Sequence, residues 1–451
     1  MKKLPLFLSL SLLAAASCSK SGTSAASDLN DSGLKKYNAH DDDGAIADFS
    51  HALEVDPNNA DAFFNRGNAK DDKGDFDGAI ADYSRALVFN PDDAPTYINR
   101  GIARKSKGDR DGAIDDYTHA LVLDPKDYDA YFDRGLARRG KGDMDGAIED
   151  YTHALEIDPK SADATNNRGV AKQSKGDFDG AIADYTQALA LNPKDSDACN
   201  NRGMAKKAKG DLAGAIADYT LAVQLDPKNG DAFFNRGLSK RAQGDWAGAI
   251  ADYSQAIQLD PKDAQPYNNR GYAKQLKGDL AGATADFTQA IQLDPQDPTA
   301  YNNRSFIEQA TGNFTGAVAD YDQAITRAPD DSIYFRLYRQ LTQRRLGQAA
   351  ADFPATVATW KDGWPKNLGL YLAGSLSEPA LLAAAAQGDA ADVPGKQCEA
   401  DYFVGVMRLI AGDSAGARDF FGKCLATNLK DFNEYQFAQA ELARLDAAGK
   451  K

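Results

Sequence analysis

Catalysis needs nucleophiles, bases or metal ligands that converge, and this sequence offers few. The 451 residues include 4 histidines, His40, His51, His119 and His153. The last three occupy one recurring position of a repeated unit, so they cannot meet at a single metal. There is no Gly-rich loop followed by Lys-Ser/Thr to cradle phosphate, no G-x-S-x-G elbow and no H-E-x-x-H pair. Strings such as Asp75-Phe76-Asp77-Gly78 suggest calcium at first sight. They lack the bidentate Glu that closes such a loop, and they stand where a helix starts, so the aspartates read as caps. Outside the repeated part, Trp360, Trp364, Glu399 and Asp401 are the residues from which a cell-wall-active enzyme would have to be built. They include no nucleophile–base set. The expectation is a non-enzymatic protein without cofactor or metal.

The elements that would position any site repeat with a fixed step. Pro57, Pro91, Pro125, Pro159, Pro193, Pro227, Pro261, Pro295 and Pro329 are each 34 residues apart. Gly67 recurs at this step to Gly271, Gly74 to Gly312, and Ala79 and Ala86 recur in all nine units. In residues 60–93, Ala62 to about Lys73 has helix-forming composition, and Gly74-Asp75 supplies a stop and a turn. A second helix runs from Asp77 to Val88, with Ala79, Ile80, Tyr83, Ala86 and Leu87 on one face. Asn90-Pro91-Asp92 ends it, because proline cannot continue a helix. Gly67 and Ala79 allow the two helices to approach closely, with Tyr83 and Phe63 at the wider end. One such pair cannot bury both faces, so neighbours must stack.

This pattern of Gly67, Gly74, Ala79, Tyr83, Ala86 and Pro91, iterated nine times with some substitutions over residues 26–331, resembles the tetratricopeptide repeat. The resemblance implies an all-α fold, an α-solenoid superhelix of helical hairpins whose first helices line a concave groove. It also implies binding of protein or peptide partners in that groove. Arg66 recurs through Arg304, and Asp82 recurs in all nine units. These are read as inter-helix ion pairs, with a basic ladder for polyanions as the alternative. The first unit has Ser32 in the arginine position, so Asp48 is expected to pair across to Arg66.

Registers that repeat unchanged serve the scaffold, so recognition is sought where the groove face varies. One varying register runs Phe64, Ile98, Phe132, Asn166, Asn200, Phe234, Asn268, Asn302, and another Asp71, Lys105, Arg139, Gln173, Lys207, Arg241, Gln275, Gln309. Phe64, Phe132 and Phe234 are candidate aromatic anchors. With Ile98, Lys105, Arg139, Lys207 and Arg241 they are the groove candidates. The apolar, locally basic patch over the second to fourth units suits an extended or helical peptide bearing apolar and acidic side chains; packing within the array is the alternative. A third ladder, Asn65, Asn99, Asn167, Asn201, Asn235, Asn269 and Asn303 with Asp133 at its interruption, serves either a ligand backbone or the adjacent helix. The carboxylate clamp of chaperone-binding family members needs Lys or Arg where Phe64, Ile98 or Asn166 stands, which argues against that role.

The ends of the chain differ from this array. Lys2 and Lys3 precede an apolar run, Leu4 to Ala16, too short to span a membrane but suited to a secretory signal. Ala15-Ala16-Ser17-Cys18 resembles the bacterial lipobox, which implies a signal at residues 1–17, lipidated Cys18 and a Ser-rich tether over 18–25. Ordinary signal-peptidase cleavage after Ala16 is the alternative. Ser19 implies an outer-membrane destination facing the periplasm. A net charge of -14 and a mean hydropathy of -0.53 argue against nucleic-acid binding and a polytopic membrane protein.

After Asp331 the period fails. Residues 332–397 read as a divergent helical region: a degenerate first helix from Ser332 to Gly347, a second from Ala349 to Trp360, a break at Trp364-Pro365 and a loop from Gly388 to Gly395. Residues 398–446 read as a degenerate repeat plus a capping helix, with Gly405, Ala417 and Phe421 aligned to Gly67, Ala79 and Tyr83. If Gly405 faces Ala417, Cys398 falls opposite Cys424, and in an oxidising compartment the pair has disulfide geometry; two free thiols is the alternative. Cys199 is expected to be a buried lone thiol. The stretch around Gln397-Cys398-Glu399-Ala400 and Lys430-Asp431-Phe432 resembles bacterial tetratricopeptide lipoproteins of the NlpI type. That resemblance implies an envelope adaptor, with an accessory protein guiding an acidic glycan as the other binding role.

Overall fold

The computed structural model describes residues 23–330, 332–430 and 432–448. Among the described residues there are 25 helices and no strand, and no helix is long and apolar enough to cross a membrane. The chain divides into two compact units, residues 1–209 and 210–451, each an α-solenoid segment of consecutive helical hairpins. Unit 1 contains α1 (Thr23–Asn38), α2 (Asp42–Val55), α3 (Ala60–Asp72), α4 (Phe76–Phe89), α5 (Ala94–Lys107) and α6 (Arg110–Leu123). It continues with α7 (Tyr128–Lys141), α8 (Met144–Ile157), α9 (Ala162–Ser174), α10 (Phe178–Leu191) and α11 (Ser196–Ala208).

Unit 2 begins with α12 (Leu212–Leu225), α13 (Gly230–Ala242), α14 (Trp246–Leu259), α15 (Ala264–Leu276) and α16 (Leu280–Leu293). Then come α17 (Pro298–Thr311), α18 (Phe314–Arg327), α19 (Ile333–Arg345), α20 (Phe353–Ala358) and α21 (Trp364–Leu372). The last four are α22 (Glu378–Ala385), α23 (Val393–Ile410), α24 (Ser414–Ala426) and α25 (Asn433–Ala448).

Local chemistry sets each hairpin. Asp75 caps α4, its carboxylate accepting from the Gly78 N–H at 3.0 Å; the corresponding aspartates cap α6, α8, α10, α12, α14 and α16. The Asp-x-Asp-Gly strings are therefore helix starts. Gly74, at φ +80, ends α3 in the left-handed region that a side chain disfavours. Gly67 has a steric reason: a Cβ there would lie 2.6 Å from Cε1 of Tyr83, which is 1% exposed. The large ring fills the space that glycine leaves.

The charged ladder joins hairpins in two directions. Arg66 clamps Asp82 through Nε and Nη2 at 2.8 and 2.7 Å, and Lys70 adds a third contact at 2.7 Å. The remaining Nη1 of Arg66 donates to Ser50 of the preceding hairpin at 3.0 Å. Arg100, Arg134 and Arg270 repeat this pattern onto Ser84, Thr118 and Ser254. Asp48 departs from expectation. It bonds Ser32 at 2.7 Å and Lys36 at 2.7 Å within its own hairpin. Arg66 does not serve it, because its fork fits the two oxygens of Asp82.

Helix boundaries at both ends also correct the sequence reading. Residues 1–17 and Cys18 lie outside the described residues. The proposed tether is already helical from Thr23, since Ala26 is 1% exposed and Leu29 packs against Ala52, Leu53 and Ala62. The helix expected over Ala349 to Trp360 is only α20. Pro365 and Pro394, read as part of a break and a loop, stand in the first turns of α21 and α23, where a missing N–H costs nothing.

Candidate functional site

The varying registers fall on the first helices of the hairpins, as their 34-residue step requires. In unit 1, Phe64, Ile98 and Phe132 are half-buried, and so are Ile102 and Leu136 one turn further along α5 and α7. Phe64 sits 6.0 Å from the Tyr83 ring, and Phe132 lies 5.9 Å from Tyr151 and stacks on Tyr128 at 5.8 Å. In unit 2 Phe234 lies 5.8 Å from Tyr253. Each ring thus leans on its own hairpin while keeping part of its surface open. Ile102 and Leu136 were not singled out from the sequence. Their signal was present: they lie four residues after Ile98 and Phe132, on the same helix face.

The polar ladders are engaged between hairpins. Asn65 donates to Asn30 at 3.0 Å, Asn99 to Asn68 at 2.9 Å and Asn201 to Asn166 at 3.4 Å. Lys105 pairs with Asp133. Arg139 donates to Asn167 at 3.0 Å, and Asn167 in turn to the Asp163 carbonyl at 2.8 Å. In unit 2 Arg241 donates to Asn269 at 3.0 Å and lies over the Tyr272 ring. Lys207 on α11 and Asn235 on α13 are half-buried at the same registers. The bonds made by Arg139 and Arg241 go to neutral amides, so they orient the guanidinium without cancelling its charge.

The face can therefore offer apolar contact and oriented positive charge to a ligand. His119 stacks on Tyr97, and His153 lies tilted 5.0 Å from Tyr131. Among the described residues no cluster of His, Cys, Asp and Glu could hold a metal.

The divergent region holds the other concentration of titratable groups. Trp364 Nε1 donates to Glu399 at 2.8 Å, and the Tyr334 hydroxyl donates to the same carboxylate at 3.3 Å. The Tyr338 hydroxyl bonds Glu434, which is 3% exposed. Tyr334, Tyr338, Glu399 and Glu434 line a cleft of about 270 Å³ with Asn302, Phe335, Phe432 and Asn433. Asp401 is not part of it and lines another cleft with Gln397, Phe420 and Lys423. Trp360 packs edge-on to Phe353. The four residues considered for catalysis do not converge.

Burial, with the charge of Glu434 adding to it, pushes the Glu399 carboxyl up to about 8, and burial raises Glu434 as well. Glu399 thus holds a proton that the unfolded chain sheds near pH 4.3. Its contribution to stability is full below that value and is lost as pH rises through about 8. Thermal melts should show the midpoint of this region falling as pH rises from mildly acidic to alkaline, and Glu399→Gln should flatten the slope.

Cys398 and Cys424 are both fully buried, with their sulfurs 2.9 Å apart as thiols. The mutual contact lowers the Cys398 thiol and raises that of Cys424. Cys199 is also fully buried.

Family profiles described as tetratricopeptide repeat match residues 60–93 and 162–195, 98–162 and 268–332, and 196–229, and a TPR repeat profile matches 237–278. No curated protein matches. Among solved structures, the chain is similar to a crystal structure of MamA at 31% identity, over 36% of this chain and 95% of that one, with a TM-score of 0.35. It is similar to YrrB, described as a TPR protein with an unusual peptide-binding site, at 25% identity over 40% of this chain and 92% of that one, TM-score 0.35. A tetratricopeptide-repeat protein from Parabacteroides merdae is 21% identical over 55% of this chain and 98% of that one, TM-score 0.43.

Proposed function

The chain belongs to the tetratricopeptide-repeat family, and on that premise we propose that it is a non-enzymatic scaffold of the bacterial cell envelope, gathering protein partners on its first-helix face. The family binds proteins or peptides. The observation that carries the reading here is the half-buried apolar strip of Phe64, Ile98, Ile102, Phe132 and Leu136, flanked by Lys105 and Arg139. Aromatic and aliphatic side chains that remain partly open beside oriented cations are suited to anchor a partner.

The envelope location rests on the export signal and the lipobox-like Ala15-Ala16-Ser17-Cys18, and on the NlpI-like stretch around Cys398. Acylation of Cys18 would tether the scaffold to the outer membrane, facing the periplasm, since several acyl chains anchor a protein stably. Residence in an oxidising compartment would also convert the Cys398–Cys424 pair to a disulfide. Intact mass of the non-reduced, natively exported protein should then be two hydrogens lighter than that of the reduced protein. Equal masses would count against this part of the reading.

Capture from detergent-solubilised envelope, with wild type and a Phe64→Ala/Phe132→Ala/Phe234→Ala variant, tests the binding face. The wild type should recover a defined set of proteins that the variant loses. Identical recovery by both would reject the face. Recovery of acidic glycan and no protein would favour the accessory role.

A further inference from the structure

In unit 2 the chain fills part of its own first-helix face with its last helix. Phe437 of α25 stacks on Phe306 of α17 at 4.2 Å and is 1% exposed. Gln275 of α15 donates to Gln436 at 3.4 Å. Arg444 donates to the carbonyls of Gln309 and Ala310 at 3.3 and 2.6 Å. Counted in 34-residue steps, Phe306 occupies the register of Ile102 and Leu136, and Gln275 and Gln309 that of Lys105 and Arg139. One of the registers that vary along the repeats thus helps to seat a helix, through an aromatic anchor at the Ile102 register of one hairpin and a polar contact on the hairpin before it.

In unit 1 the same two registers are chemically different. The anchor register is apolar and half-buried at Ile102 and Leu136, and Met204 in that register is 38% exposed. The polar register carries cations at Lys105, Arg139 and Lys207, with Asp71 before them and Gln173 between. An aromatic residue set on Leu136, as Phe437 is set on Phe306, brings the residue before it to Lys105, which a second carboxylate would share with Asp133. One hairpin further, on Val170, it brings that residue to Arg139, whose bond to Asn167 leaves its charge uncancelled.

We propose, resting on the binding reading above, that this face of unit 1 receives an amphipathic helix of a partner protein, seated as α25 is in unit 2. Its aromatic anchor packs on Leu136 or Val170, and a carboxylate directly before the anchor meets Lys105 or Arg139. The first helices that form both faces are 13 or 14 residues long and recur at the same 34-residue step. The partner is a folded or folding helical segment, not an extended peptide, and it is acidic where α25 is neutral.

The test is fluorescence polarisation with the full chain and a labelled peptide of residues 433–448 carrying Gln436→Glu. It should bind saturably. Adding Ala438→Pro to the peptide, which breaks the helix, should weaken binding by roughly tenfold or more, about 1.4 kcal/mol. Lys105→Gln/Arg139→Gln in the protein should weaken it by a similar factor, while Leu136→Ser, checked for helicity by circular dichroism, should weaken it further. No binding, equal binding of the proline peptide, or indifference to Lys105→Gln/Arg139→Gln would overturn the proposal. Those outcomes leave the broader reading standing if the phenylalanine triple variant still loses its envelope partners. If that variant loses none, the broader reading falls as well.

Discussion

Phe437→Ala is expected to lower the stability of the C-terminal region by about 3–5 kcal/mol, the usual cost of emptying a well-packed aromatic site. The ring stacks on Phe306, lies 5.4 Å from Tyr402 and meets Tyr338 edge-on at 5.8 Å. The surrounding side chains come from α17, α19 and α23, so no single neighbour can collapse into the space. Loss of the ring also weakens the hold on Glu441, which is 1% exposed and paired with Arg345 and Arg444. Hydrogen exchange should therefore accelerate over residues 433–448 first. Protection of unit 1 should not change, because interactions in repeat arrays run mainly between neighbours.

A second large effect is expected from Asp150→Ala. Asp150 is fully buried and receives Arg134 at 2.7 Å and Arg138 at 3.0 Å. Burial pushes its carboxyl up, while these two guanidinium groups pull it down. Deleting the carboxylate leaves two cations facing each other at one seam, which costs about 3–5 kcal/mol. The array should lose cooperativity at α7 and α8, seen as a split urea transition or local exchange in that hairpin. Removing all three partners together, by Arg134→Met/Arg138→Met/Asp150→Leu, should cost less than Asp150→Ala alone, because the uncompensated charge disappears with the carboxylate. Alanine at the exposed pair Lys141–Asp111 should cost at most about 1 kcal/mol.

The hairpins were legible because each contact that defines them is local and repeated. Gly67 under Tyr83, Gly74 at a helix end and Asp75 at the next start all fall within about 20 residues of one another, and the period repeats each of the two glycines and the aspartate eight times. The Arg–Asp seam was legible for the same reason. The first hairpin misled because its arginine is replaced by Ser32, and Lys36, one turn later, had not been considered as a partner for Asp48.

Beyond residue 331 no period marks which residues meet. Prolines there carry two opposite meanings, and Pro365 and Pro394 open helices instead of ending them. The seating of α25 was least legible of all. Its contact from Gln275 to Gln436 spans 161 residues, and only tertiary packing brings those side chains together. The apolar strip stood between these cases: Phe64, Ile98 and Phe132 were visible as variation in one register, whereas Ile102 and Leu136 needed the helix face on which they continue it.

Site-specific photo-crosslinking in the native host tests the central claim most directly. A photoreactive phenylalanine analogue at Phe132, on the first-helix face, is compared with one at Val122, which is 76% exposed near the end of α6. The account predicts a discrete protein adduct from position 132 and none from position 122. An adduct from 122 with none from 132 would contradict it.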